Sequence, residues 1–190
     1  PSRLREAPTK AAPVARQRGR GRPTVGRRPG AGALRDGVVA SDRQVLVVLD
    51  HAFGGIEKPE HFTDHMHCGE CAEHDETLRS HDRNTLKIGH VNNPGWNPLC
   101  FSTAHGKAYY VPTLARFFLR PSDNDSFALN FLFMLTSGGQ ANELLLFCSQ
   151  EQRSAIASLL NHVITTRAER ISDLFLDDDL CEAHTLWSTQ

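Results

Sequence analysis

The chain has 190 residues, with 21 Lys and Arg against 22 Asp and Glu, a near-neutral balance that on its face excludes a polyanion binder. The balance is uneven: residues 1–44 hold 11 basic and 3 acidic residues, and residues 45–190 hold 10 and 19. The longest apolar stretch, residues 127–135, falls far short of the roughly 20 residues a bilayer span needs, and no h-region of roughly 7–15 apolar residues follows the charged N-terminal segment. A cytoplasmic protein is therefore expected, and five cysteines (68, 71, 100, 148 and 181), an odd number, fit a reducing compartment better than a disulfide framework.

In chain order, residues 1–44 form an Arg/Gly/Pro-rich arm with too few large apolar groups to offset chain entropy, and the expectation is disorder. Within it, Arg20, Gly21, Arg22 and Pro23 spell the R-G-R-P core of an AT-hook. An extended R-G-R lies in a narrow A·T minor groove, where glycine permits close approach and the arginines follow the floor. The alternative is an arm without a binding role.

From residue 45, apolar spacing at 45, 48/49 and 52/53 predicts a helix stopped by Gly54-Gly55. Residues 59–63 read as a turn and residues 68–80 as a short polar helix. Two prolines and a Pro-Gly pair make residues 92–98 a rigid loop, and residues 99–101 read as a brief strand. Ser102 or Thr103 caps a helix through about residue 119. Residues 127–135, apolar on nearly all sides, read as a buried helix ended by Gly138-Gly139. Ser149 and Gln152 have capping-box spacing, and the apolar period then runs to residue 175. Residues 177–190, opening with three aspartates, read as a frayed acidic tail. The expected architecture is a single small, mostly α domain over residues 45–176, with at most two or three short strands, preceded by the disordered basic arm.

The chemistry gathers in one place. Six of the ten histidines (51, 61, 65, 67, 74 and 81) fall within 31 residues, and the dense part surrounds the C-x₂-C pair Cys68 and Cys71. Thiolate and imidazole are the ligands Zn²⁺ prefers, a C-x₂-C lets both sulfurs reach one ion, and a closed structural site needs four ligands. His67, Cys68, Cys71 and His74 are the candidate set, with His61 and His65 as alternates. An open fourth position would suit metal-assisted hydrolysis with a nearby Glu as base. A C-x₂-C at a helix N-terminus also suits thiol redox chemistry. The plain alternative is a solvated polar helix whose Cys and His residues pack locally. The zinc-deaminase order, H-x-E before P-C-x-x-C, is absent, as are G-x-S-x-G and the phosphate-binding glycine loops.

The run Cys68-Gly69-Glu70-Cys71-Ala72-Glu73-His74-Asp75-Glu76-Thr77-Leu78, the later Asn93-Pro94-Gly95-Trp96-Asn97-Pro98, and Tyr109-Tyr110-Val111-Pro112 carry a resemblance. They are similar to the H-C-x-E-C-x-E-H-D-E, N-P-G-W-D-P and Y-Y-x-P motifs of a functionally uncharacterised bacterial protein family. The likeness spans residues 50–165, with Asn97 where that family often has Asp. The resemblance implies a shared fold unit that excludes the arm, and a structural role for His67, Cys68, Cys71 and His74. It implies no activity.

The functional expectation is a bacterial cytosolic binding or accessory domain with a structural Cys/His zinc site and a protein partner. The alternatives are an enzyme using the same cluster, by thiol redox or metal-assisted hydrolysis, and a DNA-associated protein acting through the arm.

Overall fold

The computed structural model describes residues 40–93, 95–120 and 126–189. These are mostly α-helical, with one isolated antiparallel bridge between Thr63 and Ser102 and no strand among the described residues. No helix among them is long and apolar enough to cross a membrane.

Helix α1, Asp42–Phe53, starts earlier than its apolar period suggests, because Ser41 forms a capping box with Gln44. The boundary expected between residues 44 and 45 thus moves to Ser41. Val45, Leu49 and Phe53 recur at four-residue spacing and are buried where α1 packs on α5, Ala104–Leu119, and α8, Gln150–Thr166. Each such side chain stabilises the fold by roughly 1.5–3 kcal/mol through the apolar surface it removes from water.

Helix α2, Gly69–Arg79, and the short α3, Ile88–Val91, precede a second departure from expectation. Residues 99–101 are not a strand but part of α4, Pro98–Phe101: Asn97 caps it by accepting from Leu99 N at 3.0 Å, and Pro98 occupies the first turn. A proline there loses no hydrogen bond, since that N–H has no intrahelical partner. Thr103 caps α5, accepting from Gly106 N at 3.1 Å.

Helix α6, Ser126–Thr136, buries one face but leaves Leu129 and Phe133 about half exposed, so it is not enclosed on all sides. Gly138, at φ 86°, reverses the chain into a single 3₁₀ turn, Gly139–Ala141. Helix α7, Glu143–Phe147, follows, capped by Asn142. The Ser149/Gln152 capping box opens α8 as expected. The long period does not continue unbroken. It stops at Thr166, where Arg167 leaves helical geometry to reach Asp42 Oδ2 at 2.6 Å and Leu119 O at 3.2 Å, and α9, Ala168–Asp173, resumes.

The segment expected as a frayed tail is helix α10, Asp177–Ser188, packed on α6 and α8. Its three aspartates fill the first turn, where the helix dipole favours negative charge. Leu180, Ala183, Leu186 and Trp187 are buried, and Trp187 Nε1 donates to Leu135 O at 2.9 Å.

Candidate metal centre

Two helices and a loop hold the Cys/His segment. Phe62 is fully buried, stacked on Tyr110 with centroids 5.1 Å apart and edge-on to Tyr109 at 5.8 Å. Gly106 of α5 lies so close that an added Cβ would stand 2.9 Å from Phe62 Cδ1, which is why this helical position carries no side chain. Tyr110 Oη lies 2.7 Å from Leu78 O and 2.8 Å from His81 O, tying α5 to the end of α2.

Asp75 joins α2 to the preceding loop. It is buried, and its Oδ1 accepts from Phe62 N at 2.6 Å and Thr63 N at 3.2 Å, while Oδ2 lies 2.8 Å from His61 Nδ1. Burial pushes this carboxyl up, but the hydrogen bonds from His61, Phe62 and Thr63 outweigh it and hold it below the ordinary aspartate range. Thr63 Oγ1 donates to Cys71 O at 2.7 Å, so the loop is also fixed beside the cysteine turn.

Cys68 is the N-cap of α2. Its sulfur accepts from Cys71 N at 3.4 Å and lies 3.3 Å from Cys71 Sγ, and His67 Nδ1 stands 3.7 Å from Cys71 Sγ. One ligand atom from each of these three residues lies within 4.8 Å of the others. In a tetrahedron with Zn–S of about 2.3 Å and Zn–N of about 2.0–2.1 Å, ligand atoms are separated by roughly 3.5–3.8 Å. The 3.3 Å between the two sulfurs and the 3.7 Å from Cys71 Sγ to His67 Nδ1 stand within about half an ångström of these values. Cys68 and His67 are exposed and Cys71 is buried. The Cys71 backbone N–H, the Cys71 thiol and His67 all favour the Cys68 thiolate and lower its pKa. Cys71 is shifted up, first by its hydrogen bond with Cys68, then by burial and by the charges of Cys68, Asp64 and Glu70. A bound divalent ion would supply the charge that lets both sulfurs ionise.

The other expected residues lie elsewhere. His74 is not within reach of all three. It is fully buried, its ring centroid 4.7 Å from those of both Trp96 and Phe101, and neither ring nitrogen has a hydrogen-bond partner. Glu70 Oε1 approaches its Nε2 only to 3.5 Å. Three-residue spacing on a regular helix carries His74 away from the N-terminal turn into the contact with α4. His61 and His65, stacked with centroids 3.7 Å apart, gather instead around Asp75 as a second group whose ligand atoms lie within 4.8 Å of one another. Asp75 is not among the candidate ligands; its sequence signals are its place in the His74-Asp75-Glu76 stretch of the run 68–78 and one helical turn after Cys71. Arg20, Gly21, Arg22 and Pro23 lie outside the described residues.

No protein family, curated protein or solved structure matches the chain. The Cys/His and His/Asp groups have the donor chemistry and spacing to hold a metal ion.

Proposed function

We propose that the chain is a protein-binding or accessory module of the bacterial cytosol, built around a structural zinc ion held by His67, Cys68 and Cys71. The observation that carries this reading is the convergence of one imidazole nitrogen and two sulfurs within 4.8 Å at the start of α2. Zinc there would cross-link the turn at residues 65–67 to the helix. A closed structural site takes four ligands, and among the described residues no fourth His, Cys or carboxylate lies within that distance of all three, so the partner would bring the fourth and water would fill the position until then. The binding role draws support from Trp96 and Phe101, which pack on His74 of the same helix and remain 40% and 38% exposed. Aromatic side chains are enriched in protein interfaces.

The test is elemental analysis of the full chain purified without chelator, beside Cys68→Ser and Cys71→Ser. The reading expects about one zinc per chain in the parent and less than about 0.2 in either variant, since a two-ligand remnant cannot hold a structural zinc. A metal-free parent whose Cys68 alkylates rapidly near neutral pH would overturn it in favour of thiol redox chemistry.

A further inference from the structure

A cavity of about 290 Å³ opens between the end of α4, the first turn of α5, the second half of α6 and the turn entering α7. None of its wall residues belongs to the metal group. Its polar wall groups divide into those already used and those left over. Asn142 is fully used: its Nδ2 donates to Met134 O at 3.0 Å and Ser137 O at 2.7 Å, and its Oδ1 accepts from Leu145 N at 3.0 Å. Asn130 Nδ2 is enclosed and has no partner. Lys107 feels the charge of Glu143 but makes no ion pair with any described residue. Burial without a counter-ion lowers its pKa below the ordinary lysine range, and partial desolvation likewise pushes the neighbouring Cys100 thiol up. A buried amide N–H₂ and a half-buried ammonium without acceptors are each unfavourable. Both residues, Asn130 and Lys107, line one opening whose other walls include Leu99, Phe133 and Met134.

We propose that this cavity binds a small organic monoanion, a carboxylate with an apolar body, received by Lys107 Nζ and, after rotation of its enclosed side-chain amide, by Asn130 Nδ2, with its body against Leu99, Phe133 and Met134. Two donors suit the two oxygens of a carboxylate. A phosphate dianion would want more donors and would meet about twice the repulsion that a monoanion meets from Glu143 on the same wall. The volume sits at the lower edge of the roughly 300–1,000 Å³ typical of ligand pockets, which limits the occupant to a single ring or a short chain. The site stands independently of the zinc reading.

The test uses the full chain and follows alkylation of Cys100 by site-resolved mass spectrometry, with Cys181, which lines a separate hollow on α10, as the control for unselective uptake. The probes are hexanoate, benzoate and uncharged benzamide, with titration calorimetry for affinity. Hexanoate or benzoate should slow Cys100 alkylation saturably and leave Cys181 unchanged. Benzamide should bind at least about tenfold more weakly than benzoate, the scale of a hydrogen bond to a charged group. Lys107→Met should erase that difference and Lys107→Arg keep it. Asn130→Leu, which leaves the charge in place, should weaken benzoate as well, with helical content checked by circular dichroism in each variant. The proposal is overturned if neither carboxylate protects Cys100, if benzamide binds as well as benzoate, or if folded Lys107→Met binds benzoate like the parent. Zinc content is read on the same samples, so failure here is distinct from failure of the metal reading.

Discussion

The imidazole of His74 and the indole of Trp96 meet ring to ring, centroids 4.7 Å apart at an interplanar angle of 54°, and Phe101 stands at the same distance from His74. This contact takes a histidine with the spacing of a metal ligand and makes it part of the packing between α2 and α4. Its two ring nitrogens then lack partners in an enclosed setting, an arrangement that ordinarily destabilises by about 1–3 kcal/mol per group. His74→Leu should accordingly keep its zinc and unfold at equal or higher denaturant concentration than the parent, by about 1 kcal/mol. His67→Ala should lose the metal. Zinc loss in a folded His74→Leu chain would make His74 a ligand and contradict the geometry described here.

Trp187 tests whether the C-terminal segment belongs to the core. Trp187→Ala should destabilise by about 3–5 kcal/mol, the range for emptying a large aromatic site. Trp187→Phe should lose less, chiefly the bond to Leu135 O, about 1 kcal/mol. A chain ending at residue 176 should unfold well below the full chain in urea. Matching midpoints would mean that α10 adds nothing.

Gly106 sets propensity against packing. Alanine in a helix interior gains about 1 kcal/mol over glycine. At this position the new Cβ would stand 2.9 Å from Phe62 Cδ1 and 3.2 Å from Phe62 O, and the backbone oxygen cannot swing away. Gly106→Ala should therefore lower stability, by about 1–2 kcal/mol net. A higher melting temperature would show that the loop yields easily.

Asp42 links the first helix to the end of α8, with Oδ2 accepting from Arg167 Nη2 at 2.6 Å and Oδ1 lying 2.7 Å from His162 Nε2. The Arg167 hydrogen bond is the main cause that holds its carboxyl below the ordinary 3.8, with burial opposing and His162 assisting. A carboxyl depressed in the folded state contributes stability that is present above its unfolded pKa and is lost as the pH falls through the folded value. Asp42→Asn should lose about 0.5–1 kcal/mol at neutral pH, a modest effect because the side chain is 47% exposed. Its stability should then fall less steeply than the parent's as the pH drops below 3.8. Parallel acid-unfolding curves would remove Asp42 from the account.

Most helices were legible in the sequence because their signals are local. Val45, Leu49 and Phe53 mark a face, and Ser149 with Gln152 marks a start. The failures share a physical origin. Asn97-Pro98 before an apolar run is as good a helix start as a strand edge, and only the cap on Leu99 N decides. Three aspartates read as a solvated tail until Trp187, ten residues on, finds Leu135 O across the sequence. The convergence of His67, Cys68 and Cys71 followed from adjacency and one helical turn. The removal of His74, and the gathering of His61 and His65 at Asp75, depend on contacts between distant segments that no spacing encodes.

X-ray absorption at the zinc edge of the purified full chain tests the central claim most directly. The account predicts two sulfur ligands at about 2.3 Å and at least one imidazole nitrogen at about 2.0–2.1 Å, with the sulfur shell lost in Cys68→Ser. A zinc shell of nitrogen and oxygen alone, or a chain without zinc, would contradict it.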